Sequence, residues 1–151
     1  IRNATEQMCA SRTEVISSSI IEKIRSIEEE DILVVAGRGA AAGNGIELCQ
    51  GLADALGCQL AYTRPMVEMG YGDVSHQVGL SGRTVRPRLL ITCGVSGAIQ
   101  FTTCIQGADC IVSINSDRSA RIFDFANYCI IDDLNVVVPA LTELIKQSKE
   151  I

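Results

Sequence analysis

Short apolar runs, rich in β-branched residues, stand out along this chain. Four of them cover residues 32–36, 89–93, 110–114 and 128–131. Strands that are covered on both faces of a parallel sheet are apolar throughout rather than alternating, so each run is predicted to be a buried parallel strand. A fifth, briefer strand is predicted over residues 59–62.

Helical periodicity fills most of the gaps between these runs. Apolar residues at three- and four-residue spacing predict helices over 13–30, 46–56, 98–105 and 134–149. Gly57 suits a left-handed cap at the end of the second helix, and Pro139 indicates that the regular part of the last one starts near it. The polar stretch 73–88 is predicted to be a long loop with a strand near Thr84-Val85, and loops of that length are commonly functional.

Strands that alternate with helices are typical of βαβ units with right-handed crossovers. The fold class is therefore predicted as α/β, a three-layer, Rossmann-like, doubly wound parallel sheet. The 151 residues suffice for one such domain. It divides into a connecting helix over 1–30 and a core over 31–147.

Composition excludes several classes of partner. No apolar run approaches the ~20 residues of a membrane span, so no membrane insertion is expected. A net charge of −5 leaves no basic face for a nucleic acid, so nucleic-acid binding is not expected either. A chain that is 47% apolar and 21% charged is typical of a globular protein. Its expected location is a bacterial or archaeal cytoplasm, or the mitochondrial matrix in a eukaryote.

The cysteines and histidine argue against metal chemistry. The seven cysteines form no C-x-x-C pair, and His76 is the only histidine. These spacings match neither a zinc site nor a disulfide framework. We therefore expect reduced thiols, no bound metal and no catalytic triad.

Two strands end in turns of small residues. Gly37-Arg38-Gly39 follows the first strand, and Gly94-Val95-Ser96-Gly97 follows the run 89–93. Such turns at the carboxyl ends of parallel strands present backbone N–H groups to phosphates. Two of them in one small domain predict a dinucleotide ligand.

A nicotinamide dinucleotide is one interpretation of the first turn. The run Gly37-Arg38-Gly39-Ala40-Ala41-Ala42 fits G-x-G-x-x-A. Sites of that kind place an acidic residue at the end of the next strand, whereas here that strand ends in Thr63-Arg64. Because an arginine suits a 2′-phosphate, an NADP-linked oxidoreductase domain remains the alternative. A scaffold without a cofactor is a third interpretation.

A larger set of positions fits a second interpretation of the ligand better. Polar residues and glycines follow the strands or lie in the long loop, at Arg38, Thr63-Arg64, Gly79-Leu80-Ser81, Ser96-Gly97 and Asn115. Because the carboxyl ends of parallel strands meet at one edge of a sheet, these residues are expected to lie close together. Two guanidinium groups, several hydroxyls and close-approach glycines suit a ligand with two phosphates and an electron-accepting ring.

The same residues occur, in order, in a known family. The motifs are Gly37-Arg38-Gly39, Thr63-Arg64, Gln77-Val78-Gly79-Leu80-Ser81-Gly82, Gly94-Val95-Ser96-Gly97-Ala98-Ile99-Gln100, Ile114-Asn115-Ser116-Asp117 and Asp133-Leu134. Across about residues 32–145 the chain resembles the FAD-binding C-terminal domain of the electron transfer flavoprotein alpha subunit. The resemblance implies a domain-length part of a longer subunit, whose N-terminal domain would precede the connecting helix.

That resemblance implies a role toward FAD for each motif. Arg38 and Thr63 would contact the cofactor, and Arg64 would place its cation beside the isoalloxazine. Four residues would run along the ring, with the Ser81 hydroxyl near N5: Val78, Gly79, Leu80 and Ser81. The phosphates and the ribityl chain would be held by Ser96, Gly97, Ala98, Ile99 and Gln100. Toward the adenosine half the resemblance implies Asn115, Asp133 and Leu134.

The family also implies partners and an activity. Its members are heterodimers, in which a beta subunit completes the surroundings of the flavin. Electrons arrive from acyl-CoA dehydrogenases or other flavoenzymes and leave toward a membrane-bound oxidoreductase or another acceptor. The chain is therefore expected to be an electron carrier with no catalytic residues of its own, rather than an enzyme that transforms a metabolite.

Two residues depart from the family pattern. Leu80 stands where a glutamine is usual, and Phe101 stands where a histidine commonly donates a hydrogen bond near the flavin N1/C2 carbonyl. Phe101 has no donor for the negative charge that collects there on one-electron reduction. We expect the anionic, one-electron-reduced flavin to be less stable here than in histidine-bearing relatives.

Overall fold

Residues 25–149 are described by the computed structural model. The helix predicted over 13–30 therefore lies mostly outside the described residues. Its last part is not α-helical, because Ile27–Glu29 forms a single 3-10 turn that begins after Ser26. The Ser26 hydroxyl accepts from the Glu28 N–H, and Ile27 is buried.

One parallel sheet organises the described residues, with strand order β3-β2-β1-β4-β5-β6. The strands are β1 (Ile32–Ala36), β2 (Gln59–Thr63), β3 (Gln77–Val78), β4 (Leu89–Cys93), β5 (Cys110–Ile114) and β6 (Tyr128–Ile130). At its centre Val34 lies opposite Leu60 on one side and Ile91 on the other. The five predicted strands are confirmed, and the predicted α/β class with them.

The long loop differs from its prediction in one respect. Thr84 and Val85 form no strand, although Val85 is buried and donates its N–H to the Cys104 carbonyl. The strand of this stretch is instead β3, which pairs with Tyr62 and Thr63 of β2. Two residues are too few for a periodic pattern to predict a strand.

The helices are α1 (Gly45–Leu56), α2 (Arg64–Glu68), α3 (Ile99–Thr102) and α4 (Leu134–Lys149). Gly57 caps α1 in the left-handed region, with φ +74°, as its sequence predicts. The single turn of α3 is shorter than the predicted 98–105. Helix α4 has the predicted bounds. The expectation that its regular part starts near Pro139 is wrong, because the helix is regular from Leu134 and contains the proline.

The two faces of the sheet are covered differently. Val34, Ala36 and Ile91 face one core cluster, which α1 and α4 cover. Leu33 and Val35 face the other. There the cover comes from α3, the segment between β3 and β4, and the 3-10 turn Arg121–Asp124. Among the described residues, the helical pieces on this face are single turns.

The connection from β3 to β4 carries the chain from one side of β1 to the other. Consequently β1 and β4 are neighbours, yet α1 follows β1 on one face and α3 follows β4 on the opposite face. In a doubly wound sheet, ligands bind outside the carboxyl ends of the strands at this switch point. The fold thus places a candidate site beside the ends of β1 and β4.

The thiols of the described part are unpaired. Cys49, Cys93 and Cys104 are buried, and Cys129 is exposed. Burial raises the pKa of the Cys58 thiol to about 11, and the nearby Glu30 carboxylate adds to the shift. A hydrogen bond with Cys49 and burial hold the pKa of Cys93 well above its ordinary value.

The described part contains neither a candidate membrane-spanning helix nor a candidate metal-binding cluster. Within residues 25–149 no helix is long and apolar enough to cross a membrane. Over the same range no group of three or more His, Cys, Asp or Glu side chains is placed to hold a metal ion.

Candidate functional site

An open cavity of about 490 Å³ lies at the carboxyl edge of the sheet. Its volume is within the range of small-molecule sites. The loops that follow β1, β2, β3 and β4 all contribute to its wall. The lining residues are Arg38, Thr63, Arg64, Pro65, Glu68, Val78, Gly79, Leu80, Ser81, Val95, Ser96, Ala98, Gln100 and Phe101.

The loops after β1 and β4 are joined through glycine backbone. The Gly37 N–H donates to the Cys93 carbonyl at 2.8 Å, and the Gly39 N–H donates to the Gly94 carbonyl at 2.9 Å. Gly94 has φ +66°, and a Cβ there would lie 2.7 Å from the Ala40 nitrogen. Only glycine permits this approach, so the two loops form one rigid floor beside the cavity.

This arrangement does not support the nicotinamide interpretation. The N–H groups of Gly37 and Gly39 are already used by the β4 loop. In addition, α1 begins only at Gly45, well after the motif, and β2 ends at Thr63 without an acidic residue. The motif therefore lacks both the open amides and the carboxylate that such a site uses.

Open amides occur instead after β4. The backbone N–H groups of residues 96–100 find no acceptor in the part of the chain that the structure describes. The Val95 carbonyl accepts from Asn115 Nδ2 at 2.7 Å, and the Ser96 carbonyl accepts from the Ile122 N–H at 3.2 Å. In a trans peptide the N–H points away from the carbonyl before it, so the N–H groups of Ser96 and Gly97 point away from Asn115 and Ile122. Successive amides arranged in this way form an anion-binding nest.

Gly97 makes the tight turn of this nest possible. Its φ is +85°, and a Cβ there would collide with the Ile122 nitrogen. Ser96, Ala98 and Gln100 line the cavity, so the nest borders it directly.

Two cations lie at the cavity. Arg64 opens α2, with Pro65 in its first turn, and its Nε donates to Glu68 Oε1 at 2.7 Å. Arg38 is exposed on the 3-10 turn that follows β1 and makes no ion pair with any described residue. Positive charge beside the open amides favours an anionic ligand.

The Ser81 hydroxyl is oriented by a residue that sequence reasoning did not single out. Gln77 Nε2 donates to Ser81 Oγ at 2.8 Å, and Gln77 is buried at the end of the sheet, only 4% exposed. Because Oγ accepts from Gln77, its own proton is available to donate into the cavity. Because the burial of Gln77 and its contact with Ser81 depend on tertiary structure, no sequence signal marked this role.

The remaining wall is apolar and suits a planar ring. Val78, Val95 and Phe101 are buried in the core cluster of the α3 face, so their cavity-facing surfaces are fixed. Leu80 is exposed, and its N–H donates to the Gln100 carbonyl at 3.0 Å, which ties the β3 and β4 loops together. The Phe101 side chain brings no hydrogen-bond donor to this wall.

Five predicted site residues do not line the cavity, namely Gly97, Ile99, Asn115, Asp133 and Leu134. Asn115 positions the nest through Val95, as described above. Asp133 Oδ1 accepts from the Asn135 N–H at 2.9 Å and begins α4, where Leu134 is buried. Asn115, Asp133 and Leu134 lie near the carboxyl edge of the sheet. That all five residues contact a cofactor stays a prediction.

Known proteins are similar to this chain over most of its length. The profile of the family described as "Electron transfer flavoprotein FAD-binding domain" matches residues 26–106. Protein FixB of Azotobacter vinelandii is 47% identical over 116 residues, which are 77% of this chain and 32% of that protein. Electron transfer flavoprotein subunit alpha of Thermoanaerobacterium thermosaccharolyticum is 42% identical over 139 residues, which are 91% of this chain and 42% of that protein.

A third relative carries a different name. Subunit LctC of a lactate dehydrogenase (NAD(+),ferredoxin) from Acetobacterium woodii is 35% identical over 147 residues, which are 93% of this chain and 35% of that protein. This chain thus spans about a third to two fifths of the length of the curated relatives it matches.

Proposed function

Because the chain belongs to the electron transfer flavoprotein FAD-binding domain family, we propose that its cavity binds FAD and that the domain carries electrons as part of a longer alpha subunit. The observation that carries this proposal is the nest of open amides over 96–100 beside a cavity with two arginines. The relative from Thermoanaerobacterium thermosaccharolyticum is named electron transfer flavoprotein subunit alpha, which supports the same interpretation.

The diphosphate would be held by the nest and by nearby cations. Five successive N–H groups without a protein acceptor match the acceptor oxygens of two phosphates. Arg38 adds a guanidinium from the loop that β4 fixes through Gly37 and Gly39. The donor set therefore fits this half of FAD without any further group.

The isoalloxazine would lie against the apolar wall. Val78, Val95 and Phe101 exclude water from one side, and Ser81 presents its proton to an acceptor atom of the ring. When bound, FAD supplies a ring that takes up two electrons and one proton and thereby gains one negative charge. Arg64 stabilises that charge, because a cation fixed beside it needs no reorganisation when it develops.

No acid–base step is needed for this role. Electron transfer requires binding, orientation and charge, which Arg64, Ser81 and the nest provide. We therefore infer a carrier without catalytic residues. The open side of the cavity, with Leu80 and Ile99 exposed near it, is where a beta subunit would complete the flavin surroundings.

The donors and acceptors of the whole protein follow from the same proposal. A flavoenzyme such as an acyl-CoA dehydrogenase would deliver electrons, and a membrane-bound oxidoreductase or another acceptor would take them. We propose a bacterial or archaeal cytoplasmic location, or the mitochondrial matrix if the chain is eukaryotic.

Titration of the chain with FAD and with NADP⁺ tests the proposal. Binding is measured by the quenching of ligand fluorescence or by absorbance changes. We expect saturable binding of FAD and no saturable binding of NADP⁺. Arg64→Gln should weaken FAD binding by about tenfold or more, since a hydrogen bond to a charged group contributes about 1.5–3 kcal/mol.

Arg88→Gln is the matched control, because Arg88 is an equally exposed arginine at the opposite, amino end of β4. It should leave FAD affinity unchanged. Saturable binding of NADP⁺ with none of FAD would overturn the proposal, and an equal loss in both variants would remove Arg64 from the site.

A further inference from the structure

Glu68 is the one carboxylate among the residues that line the cavity. Its position is unexpected, because the open amides over 96–100 and the exposed guanidinium of Arg38 favour an anion there. An acidic side chain in a site built for negative charge opposes binding unless its charge is used. The charge of Glu68 is paired with that of Arg64.

The carboxylate of Glu68 holds Arg64 in one particular way. Its Oε1 accepts a hydrogen bond from Arg64 Nε at 2.7 Å. Within residues 25–149, the terminal nitrogens of the guanidinium donate no hydrogen bond, and Arg64 forms an ion pair with Glu68 alone. The pair is therefore side-on, and it leaves the outer edge of the guanidinium available to a ligand.

Helix geometry brings Arg64 and Glu68 together. Arg64 and Glu68 are four residues apart on α2, so their side chains share one face of the helix. Pro65 presets the backbone of the first turn between them. Both side chains are more than half exposed, at 67% and 58%, so water screens the pair and its effect on the stability of the fold is small.

We propose that Glu68 is a positioning residue that sets how much positive charge Arg64 presents to the ligand of the cavity. Its carboxylate fixes the guanidinium through Nε and offsets part of the guanidinium charge. This rests on the proposed function, since the ligand in question is FAD. The consequence is a limit on how strongly the domain favours the reduced, negatively charged ring over the oxidised, neutral one.

The test compares Glu68→Gln with the wild-type chain. Glutamine retains an oxygen that accepts from Nε but carries no charge, so Arg64 stays positioned and its charge is no longer offset. Dissociation constants are measured for oxidised FAD and, under anaerobic conditions with dithionite, for reduced FAD. The ratio of the dissociation constant of oxidised FAD to that of reduced FAD should rise by about two- to fivefold in Glu68→Gln. This is the range expected of an exposed ion pair.

Glu143→Gln is the matched control. Glu143 is also an exposed carboxylate on a helix, and it accepts from Gln147 four residues later on α4. The control removes the same net charge outside the cavity, so its ratio should equal that of the wild type. Thermal unfolding of both variants checks that the fold is retained.

Three results would contradict the inference. A ratio in Glu68→Gln equal to that in Glu143→Gln, with FAD still bound, shows that Glu68 is only a surface ion pair. A fall of the ratio shows that the Glu68 charge does not limit the preference of the domain for reduced FAD. If the wild-type chain binds neither form of FAD, the proposed function is itself wrong and this inference falls with it.

Discussion

Ser81 illustrates how the chemistry of a single residue depends on a neighbour that sequence cannot reveal. Its place in the loop after β3 was predictable, because hydroxyls and glycines cluster there. The role of Ser81 as a hydrogen-bond donor was not predictable. It follows from Gln77, whose Nε2 donates to Ser81 Oγ at 2.8 Å and leaves the hydroxyl proton free to donate elsewhere. Side-chain hydrogen bonds of this kind depend on tertiary positions and leave no periodic signal.

Phe101 gives the sharpest prediction at the residue scale. Phe101→His places a ring nitrogen at the cavity wall, where a donor would stabilise the charge that the reduced flavin carries. A hydrogen bond to a charged group contributes about 1.5–3 kcal/mol, which is about 30–60 mV for a two-electron couple. We expect the midpoint potential of bound FAD to rise by that order in a potentiometric titration.

Phe101→Leu is the control for altered packing. Phe101 is only 5% exposed and belongs to the core, so both substitutions change its contacts, but leucine adds no donor. The potential of the leucine variant should stay near that of the wild type. Equal potentials in the histidine and wild-type proteins would refute the expectation that the missing donor matters.

At the scale of elements, Asp133 separates a structural role from a binding role. The resemblance to the family assigns it to the adenosine half of FAD, whereas here its carboxylate accepts from the Asn135 N–H at the start of α4. Asp133→Ala should lower the free energy of unfolding by about 1 kcal/mol, because an N-cap is lost, as measured by chemical denaturation.

Asp133→Asn keeps a side-chain oxygen at the cap and removes the charge. Its unfolding free energy should stay close to that of the wild type, since asparagine caps as well as aspartate. If this variant binds FAD as the wild type does while the alanine variant is destabilised, the cap explains the residue. A loss of FAD affinity in a fully stable Asp133→Asn would instead support contact with the cofactor.

Element boundaries were predictable where a local signal marks them. Gly57 ends α1 as expected, and the β-branched runs became strands. The bounds of α4 were predicted, but the expectation that it becomes regular only near Pro139 was wrong. Pro139 removes one N–H, yet Leu134 and Val138 are buried against α1, and this packing retains the helical turn before the proline. The strand β3 is set by pairing with Tyr62 and Thr63 and therefore depends on tertiary contact.

At the scale of the molecule, alternation of strands and helices was enough to predict the doubly wound sheet. It also predicted that loops from separate strands would meet at one edge, and Arg38, Arg64, Ser81 and Ser96 do line one cavity. The crossover that brings β1 next to β4 was not readable from the pattern, because strand order depends on which edges pair. That order is what joins the two glycine turns.

The proposed function requires the amides over 96–100 and the cavity beside them to hold FAD. Amide ¹H–¹⁵N spectra of the chain, recorded with and without FAD, test this requirement residue by residue. We expect the largest shifts at Ser96 to Gln100, Ser81 and Arg64, and unchanged amide signals at the amino ends of β4 and β5. Shifts confined to other parts of the chain, with residues 96–100 unaffected at saturating FAD, would contradict it.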